Sequence, residues 1–138
     1  MADPLSITAG IIAVLQLTTT AVQYLNDVKD APAERQRILI EAMTVSGFLH
    51  MLKDRAESMQ PEDLHASALR SLNVPDGPLK QIELALERLI SKLKPARGLK
   101  RVSKVLTWTL DKADVNTILA SIERQKALFL LAMQNDHM

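Results

Sequence analysis

Residues 4–26 read PLSITAGIIAVLQLTTTAVQYLN, and none of these side chains is charged near neutral pH. Asp3 precedes the stretch and Asp27 follows it. Asp3 is a fitting N-cap, and Pro4 suits the first helical position, where a missing N–H costs nothing. A helix of this length runs roughly 34 Å at about 1.5 Å per residue. That is enough to cross a bilayer core of about 30 Å. Two roles fit such a helix: the central helix of a soluble bundle, or an element that enters a membrane. They are compatible when they belong to different states. Ser6, Thr8, Gln16, Thr18, Thr19, Thr20 and Gln23 form its less apolar side, and the run Thr18 to Thr20 weakens a simple span. Ser6 with Gly10, and Ala9 with Ala13, place small residues at helical spacing, which lets backbones approach closely. An internal Gly costs a helix roughly 1 kcal/mol relative to Ala, so Gly10 points to a close contact.

After a break at residues 26–32, a second helix is expected from Pro32 or Ala33 to about Met59. Ile38, Ala42, Val45, Leu49, Leu52, Ala56 and Met59 alternate spacings of four and three along it, a heptad-like seam. Gly47 within it reads as a place for a close helix crossing. Residues 62–72 suggest a short helix after Pro61, and NVPDGP at 73–78 is a turn cluster. Pro78 opens a third main helix to about Lys94, with Leu79, Ile82, Leu86, Leu89 and Leu93 on one face. Pro95 and Gly98 mark a loop, and 99–109 reads as a short helix. Asp111 is the expected N-cap of a last helix running to about Asn135, with Asp114 in its first turn, where negative charge suits the helix dipole. Val115, Ile118, Leu119, Ile122, Phe129, Ala132 and Met133 supply its buried face. Alternation of period two is nowhere sustained. The expectation is an all-α bundle of four main helices plus short connecting helices.

The chain has 138 residues and reads as a single domain, residues 1–138, with enough length for a proper core. Hydrophobic residues make up 47% and aromatics only 3%, so the core must be aliphatic, which favours helices over a sandwich. A net charge of +1 gives no global attraction to nucleic acid, and none is expected as a partner. The absence of cysteine removes disulfides, thiol catalysis and cysteine-bound metals, and fits an intracellular setting. The N-terminus lacks the basic start and cleavage pattern of a secretory signal.

Enzyme signatures do not emerge. Four scattered glycines build no nucleotide loop or nucleophile elbow. His50, His65 and His137 lack ligand spacing. Glu83 and Glu87 share a helix face, which reads as solvated surface. No catalytic residue, cofactor or metal site is assigned. One electrostatic feature does emerge. Arg88 to Leu110 contains no acid, while Arg88, Lys92, Lys94, Arg97, Lys100, Arg101 and Lys104 are all basic. Near an anionic membrane each such residue contributes about 1 kcal/mol. Trp108 follows, either as an interfacial aromatic or as a side chain held against the bundle.

Two blocks carry a family resemblance. The opening MADPLSITAGIIAVLQL, continued by VQYLNDVKDAPAER, resembles the HeLo-like domain found at the N-terminus of fungal STAND proteins (NOD-like receptors). The closing VLTWTLDKADVNTILASIERQKALFLLAMQND is similar to the last segment of the same family, through its Trp, Asp-Lys, Ile-Glu-Arg, Leu-Phe and Gln-Asn-Asp. The chain departs at Thr109 and Leu110, where family members often carry Pro and Phe. The resemblance spans essentially the whole chain. It implies a helical effector bundle that is cytoplasmic at rest and self-oligomerises on activation. It further implies that the apolar first helix then enters the plasma membrane, causing regulated cell death. Nucleotide-binding and repeat domains would follow in the same chain, making these residues an excised effector domain.

Carried onto this sequence, the inserting residues are Leu5, Ile7, Gly10, Ile11, Ile12, Val14, Leu15 and Leu17. The contacts to anionic membrane lipids are Arg97, Lys100, Arg101 and Lys104. At rest Leu5, Ile7, Ile11, Ile12, Val14, Leu15 and Val22 are expected to be buried. The alternative reading is an adaptor or self-association bundle that never enters lipid, with the seam from Ile38 to Met59 partly a partner surface.

Overall fold

The structure, a computed structural model, describes residues 4–28, 32–58, 70–93, 108 and 110–134. It is an all-α bundle. Its main elements are α1 (Pro4–Asp27), α2 (Pro32–Ser58), α3 (Pro78–Leu93) and α4 (Lys112–Gln134). These boundaries follow the sequence signals to within about two residues, the usual scatter at helix ends.

Helix α1 presents a buried stripe of Ile7, Ile11, Val14, Thr18, Ala21 and Leu25, with Val28 just beyond it. The spacing alternates four and three, so an almost charge-free helix still docks by one edge. Helix α2 answers with Ile38, Ala42, Val45, Leu49, Leu52 and Ala56, all buried as the seam requires. Met59 lies outside the described residues. Leu79, Ile82, Ala85, Leu86, Leu89 and Leu93 line the inner face of α3. From α4 come Val115, Ile118, Leu119, Ile122, Phe129, Ala132 and Met133, joined by a buried Gln125.

Around the bundle, α1 touches α2 and α3, and α4 touches the same two from the other side. Cross-contacts fix the directions. Arg35, near the start of α2, donates to the Leu25 carbonyl near the end of α1 at 3.5 Å, so these helices are antiparallel. Gly10 lies against Asn73, just ahead of α3, and Ala13 and Val14 share a groove with Leu79 and Lys80. Helices α1 and α3 therefore run parallel. Arg88 reaches Asp114 across the α3–α4 pair, so those helices are antiparallel. Lys126 meets Glu41 at 2.6 Å, and Lys112 shares a groove with Glu34, so α2 and α4 run parallel.

The turn before α3 is built by its sequence. Gly77 donates to the Val74 carbonyl at 2.9 Å, with Pro75 and Asp76 between them. Asp76 has φ of 60°, the left-handed region. Pro followed by a positive φ is the type II arrangement. Gly77 then accepts from the Gln81 amide at 3.0 Å, making it the cap ahead of Pro78. The expected short helix at 62–72 is described only from residue 70, where 70–72 are helical. The expected helix at 99–109 falls outside the described residues except at Trp108, which is not helical.

Candidate functional site

The α1 residues are placed one by one. Ile7, Ile11 and Val14 are buried, while Leu15, Leu17 and Val22 are half-buried and rest against the core. Leu5 is helical in its backbone, and its side chain lies outside the described ones. Gly10 is the predicted close contact: a Cβ there would sit 3.1 Å from the Asn73 Oδ1. Ile12 corrects the expectation of burial, being 38% exposed. It falls one position after Ile11, and a step of about 100° carries it off the docked edge. Ala9 and Ala13 are exposed, so of the described members of the two small-residue pairs it is Gly10 that is in close contact.

Thr18 is a second correction. Assigned to the polar side, it is 1% exposed and belongs to the buried stripe. Its hydroxyl donates to the Val14 carbonyl at 2.8 Å. Thr19 and Thr20 do the same to Leu15 and Gln16, each at 3.1 Å. All three hydroxyls are thus satisfied inside the helix, which removes most of the penalty for moving them into an apolar phase. The outer side of α1 is Ala9, Ile12, Ala13, Gln16, Thr19 and Gln23. Over Ile7–Asp27, only 33% of the span-length window is buried, so this helix is docked rather than enclosed.

Gly47 corrects the expected close crossing. A Cβ on it would meet nothing within 4 Å. It points away from the bundle, opposite the α2 seam.

Of the basic segment, Lys94, Arg97, Lys100, Arg101 and Lys104 lie outside the described residues. Arg88 and Lys92 are described, and both turn to Asp114, at 3.1 and 3.5 Å. Both side chains stay about half exposed, so they pair with Asp114 at the surface of the bundle. Asp114 is buried, and its carboxyl is held below the ordinary range, first by the Arg88 hydrogen bond and then by the Asp111 amide and Lys92. Desolvation opposes this and is outweighed. Trp108 is half-buried against the core, the packing role of its two readings.

Leu93 and Leu110 are both buried at the end of the bundle where α3 finishes and α4 begins. That end carries the α3–α4 ion pair, and Gly10 lies at the opposite end beside the start of α3. At about 1.5 Å per residue, the 16 residues of α3 separate them by roughly 24 Å. The ion-paired Arg88 and Lys92 thus lie toward the far end of α3 from the Gly10 contact, and the predicted lipid contacts Arg97, Lys100, Arg101 and Lys104 lie outside the described residues.

Among the described residues no group of three or more His, Asp or Glu side chains could hold a metal ion. His50 is exposed on α2, and Glu83 is paired with Lys80 at 3.0 Å. Sequence reasoning did not find the Asp114 link to Arg88 and Lys92, which required knowing that the end of α3 lies beside the start of α4. No family model, characterised protein or solved structure matches the chain.

Proposed function

We propose that this chain is a latent membrane-perturbing effector domain, with α1 as the element that enters the bilayer. The observation that supports this reading most is the condition of α1. It is 24 residues long, about 36 Å, and free of charge until Asp27. It is held to the bundle along one stripe, and its threonine hydroxyls are internally satisfied.

Energetics favour a latent state. Burying a Val, Leu or Ile side chain is worth about 1.5–3 kcal/mol. Ile7, Ile11, Val14 and Leu25 together, with Ala21, then hold α1 by on the order of 10 kcal/mol. That is comparable to the whole stability of a typical domain, so α1 stays docked in water. Lipid offers the same side chains an equivalent apolar environment, which offsets the loss. Oligomerisation, implied by the HeLo-like resemblance, would concentrate such helices at one place on a membrane. In this reading Arg97, Lys100, Arg101 and Lys104 hold the domain to anionic lipid. Nucleotide-binding and repeat domains in the same longer chain would control the assembly.

The test is dye release from anionic and neutral vesicles by the purified 138-residue chain, alone and fused to a trimerising tag. Leakage from anionic vesicles that falls with added salt is the expected result. No leakage from either vesicle, even from the trimerised form, would overturn the reading.

A further inference from the structure

Helix α2 carries a second stripe, opposite its buried seam. Arg37, Ile40, Thr44, Gly47, Met51 and Asp54 follow spacings of three and four, and all six are exposed. Ile40 and Met51 are 52% and 48% exposed, so each leaves about half its surface in water. From Ile38 to Leu52 the only acid or base besides His50 is Glu41, which is engaged by Lys126. Arg37 and Asp54 close the stripe at its two ends with opposite charge. Neither makes an ion pair among the described residues. On the neighbouring helix α4, Leu130 and Leu131 are 42% and 55% exposed, within the uncharged run Ala127 to Gln134.

The order of residues is self-complementary. About a centre between Val45 and Ser46, Arg37 mirrors Asp54, Ile40 mirrors Met51, and Thr44 mirrors Gly47. Two copies of α2 laid antiparallel on this stripe would set each Arg37 toward the other copy's Asp54. Ile40 would meet Met51 twice, and Gly47 would leave room for Thr44. Leu130 lies on α4 one turn beyond Lys126, which meets Glu41 of the parallel neighbour α2.

We propose that a second copy of this chain docks here, through a two-fold antiparallel α2–α2 contact flanked by α4. Charge complementarity at the ends and neutrality in the middle select a like copy. An isologous contact also closes on itself as a dimer. The exposed apolar area is on the order of 500 Å² per copy, below the roughly 800 Å² per partner of a standard interface. The contact is therefore weak and concentration-dependent. It stands on the outer surface of α2 and α4, independent of whether α1 enters lipid.

The experiment is sedimentation equilibrium of the 138-residue chain in lipid-free buffer, with cross-linking of cysteine variants. The chain has no cysteine, so an introduced one reports alone. A dimer should form with Kd on the order of 100 μM. Met51→Glu should weaken it at least about tenfold, as should Arg37→Asp or Asp54→Arg singly, by opposing like charges. The double reversal of Arg37 and Asp54 should restore it. Thr44→Cys, exposed and next to the two-fold centre, should form a disulfide dimer on oxidation faster than Glu87→Cys on the outer side of α3. Circular dichroism of each variant checks that the helices are retained. A chain that stays monomeric to about 1 mM would overturn the proposal. So would a dimer indifferent to Met51→Glu, or a double reversal no better than the singles. A monomeric wild type whose vesicle binding falls with Met51→Glu would assign the face to lipid instead.

Discussion

The Asp111 carboxylate accepts the Asp114 amide at 2.7 Å, and Asp114 accepts the Asp111 amide in return at 3.4 Å. The exchange is a capping box with an acid in place of the usual Glu, and it starts α4. Asp114 also receives Arg88 and Lys92 from the end of α3, so one carboxylate both starts a helix and ties it to its neighbour. Asp111→Ala removes the first half of the exchange. It should lower stability by about 1 kcal/mol, read as a lower urea midpoint with an unchanged slope.

Asp114 makes the stability of the bundle sensitive to acid. Its folded-state carboxyl titrates below the ordinary range, with the Arg88 hydrogen bond as the first cause. A depressed carboxylate stabilises the fold above its unfolded pKa, and that stabilisation is lost as pH falls through the folded value. Asp114→Asn should therefore melt below the wild type at neutral pH. The gap should hold down to about pH 4 and then close on further acidification. A gap of constant size from neutral pH into strong acid would contradict this origin.

Much of the bundle was legible because core positions obey helical spacing. Ile38 to Ala56 on α2 and Leu79 to Leu93 on α3 are buried as their periodicity requires. The uncharged α1 was harder for a physical reason. Where polar side chains are few and mild, the pattern shows a helix but not which edge docks. Ile12 therefore reads like Ile11, and Thr18 reads like Thr19, until neighbouring helices choose an edge. Gly47 failed differently. A glycine in a helix allows close approach, and nothing local says whether a neighbour uses it. Arg88 and Lys92 belonged to a basic run in sequence, and only the meeting of α3 with α4 shows them engaged.

The turn ahead of α3 should be intolerant at one residue and tolerant at the next. A Cβ on Gly77 would lie 2.7 Å from Val74 Cγ2 and 2.9 Å from its carbonyl oxygen. The carbonyl is backbone and cannot swing aside, so Gly77→Ala should cost about 2 kcal/mol. Asp76 already holds φ of 60°, and Asn adopts that region readily. Asp76→Asn should change stability by less than about 0.5 kcal/mol. Thermal melts of the two variants give the comparison directly.

Neutralising Lys100, Arg101 and Lys104 together to Gln should weaken binding to anionic vesicles by about a hundredfold, at about 1 kcal/mol for each charge. It should also flatten the salt dependence. Arg88 and Lys92 serve as the internal control. Because Asp114 offsets part of their charge, changing Lys92→Gln should affect lipid binding less than changing Lys100→Gln. Equal losses from the two single variants would mean that the ion pairs open on the membrane. No loss from the triple variant would remove lipid anchoring from the role of this segment.

Ile11 and Ile12 separate folding from membrane action. Ile11 is fully buried, so Ile11→Ala leaves a cavity and should cost about 3 kcal/mol. Its effect on leakage would then be confounded with loss of the bundle. Ile12 is 38% exposed on the outer side of the same helix. Ile12→Glu should cost about 1 kcal/mol, well under the cost of Ile11→Ala, because only part of its side chain is buried. In a bilayer, however, residue 12 would lie near the middle of a helix spanning 4–27. An acidic side chain at that depth costs about 3 kcal/mol. The expected pairing is a cooperative, slightly lowered melting curve with leakage reduced about a hundredfold. Full leakage by a folded Ile12→Glu variant would mean that α1 does not cross the hydrocarbon core. Vesicle disruption would then have to come from another surface of the bundle, and the outward stripe of α2 would be the next to test.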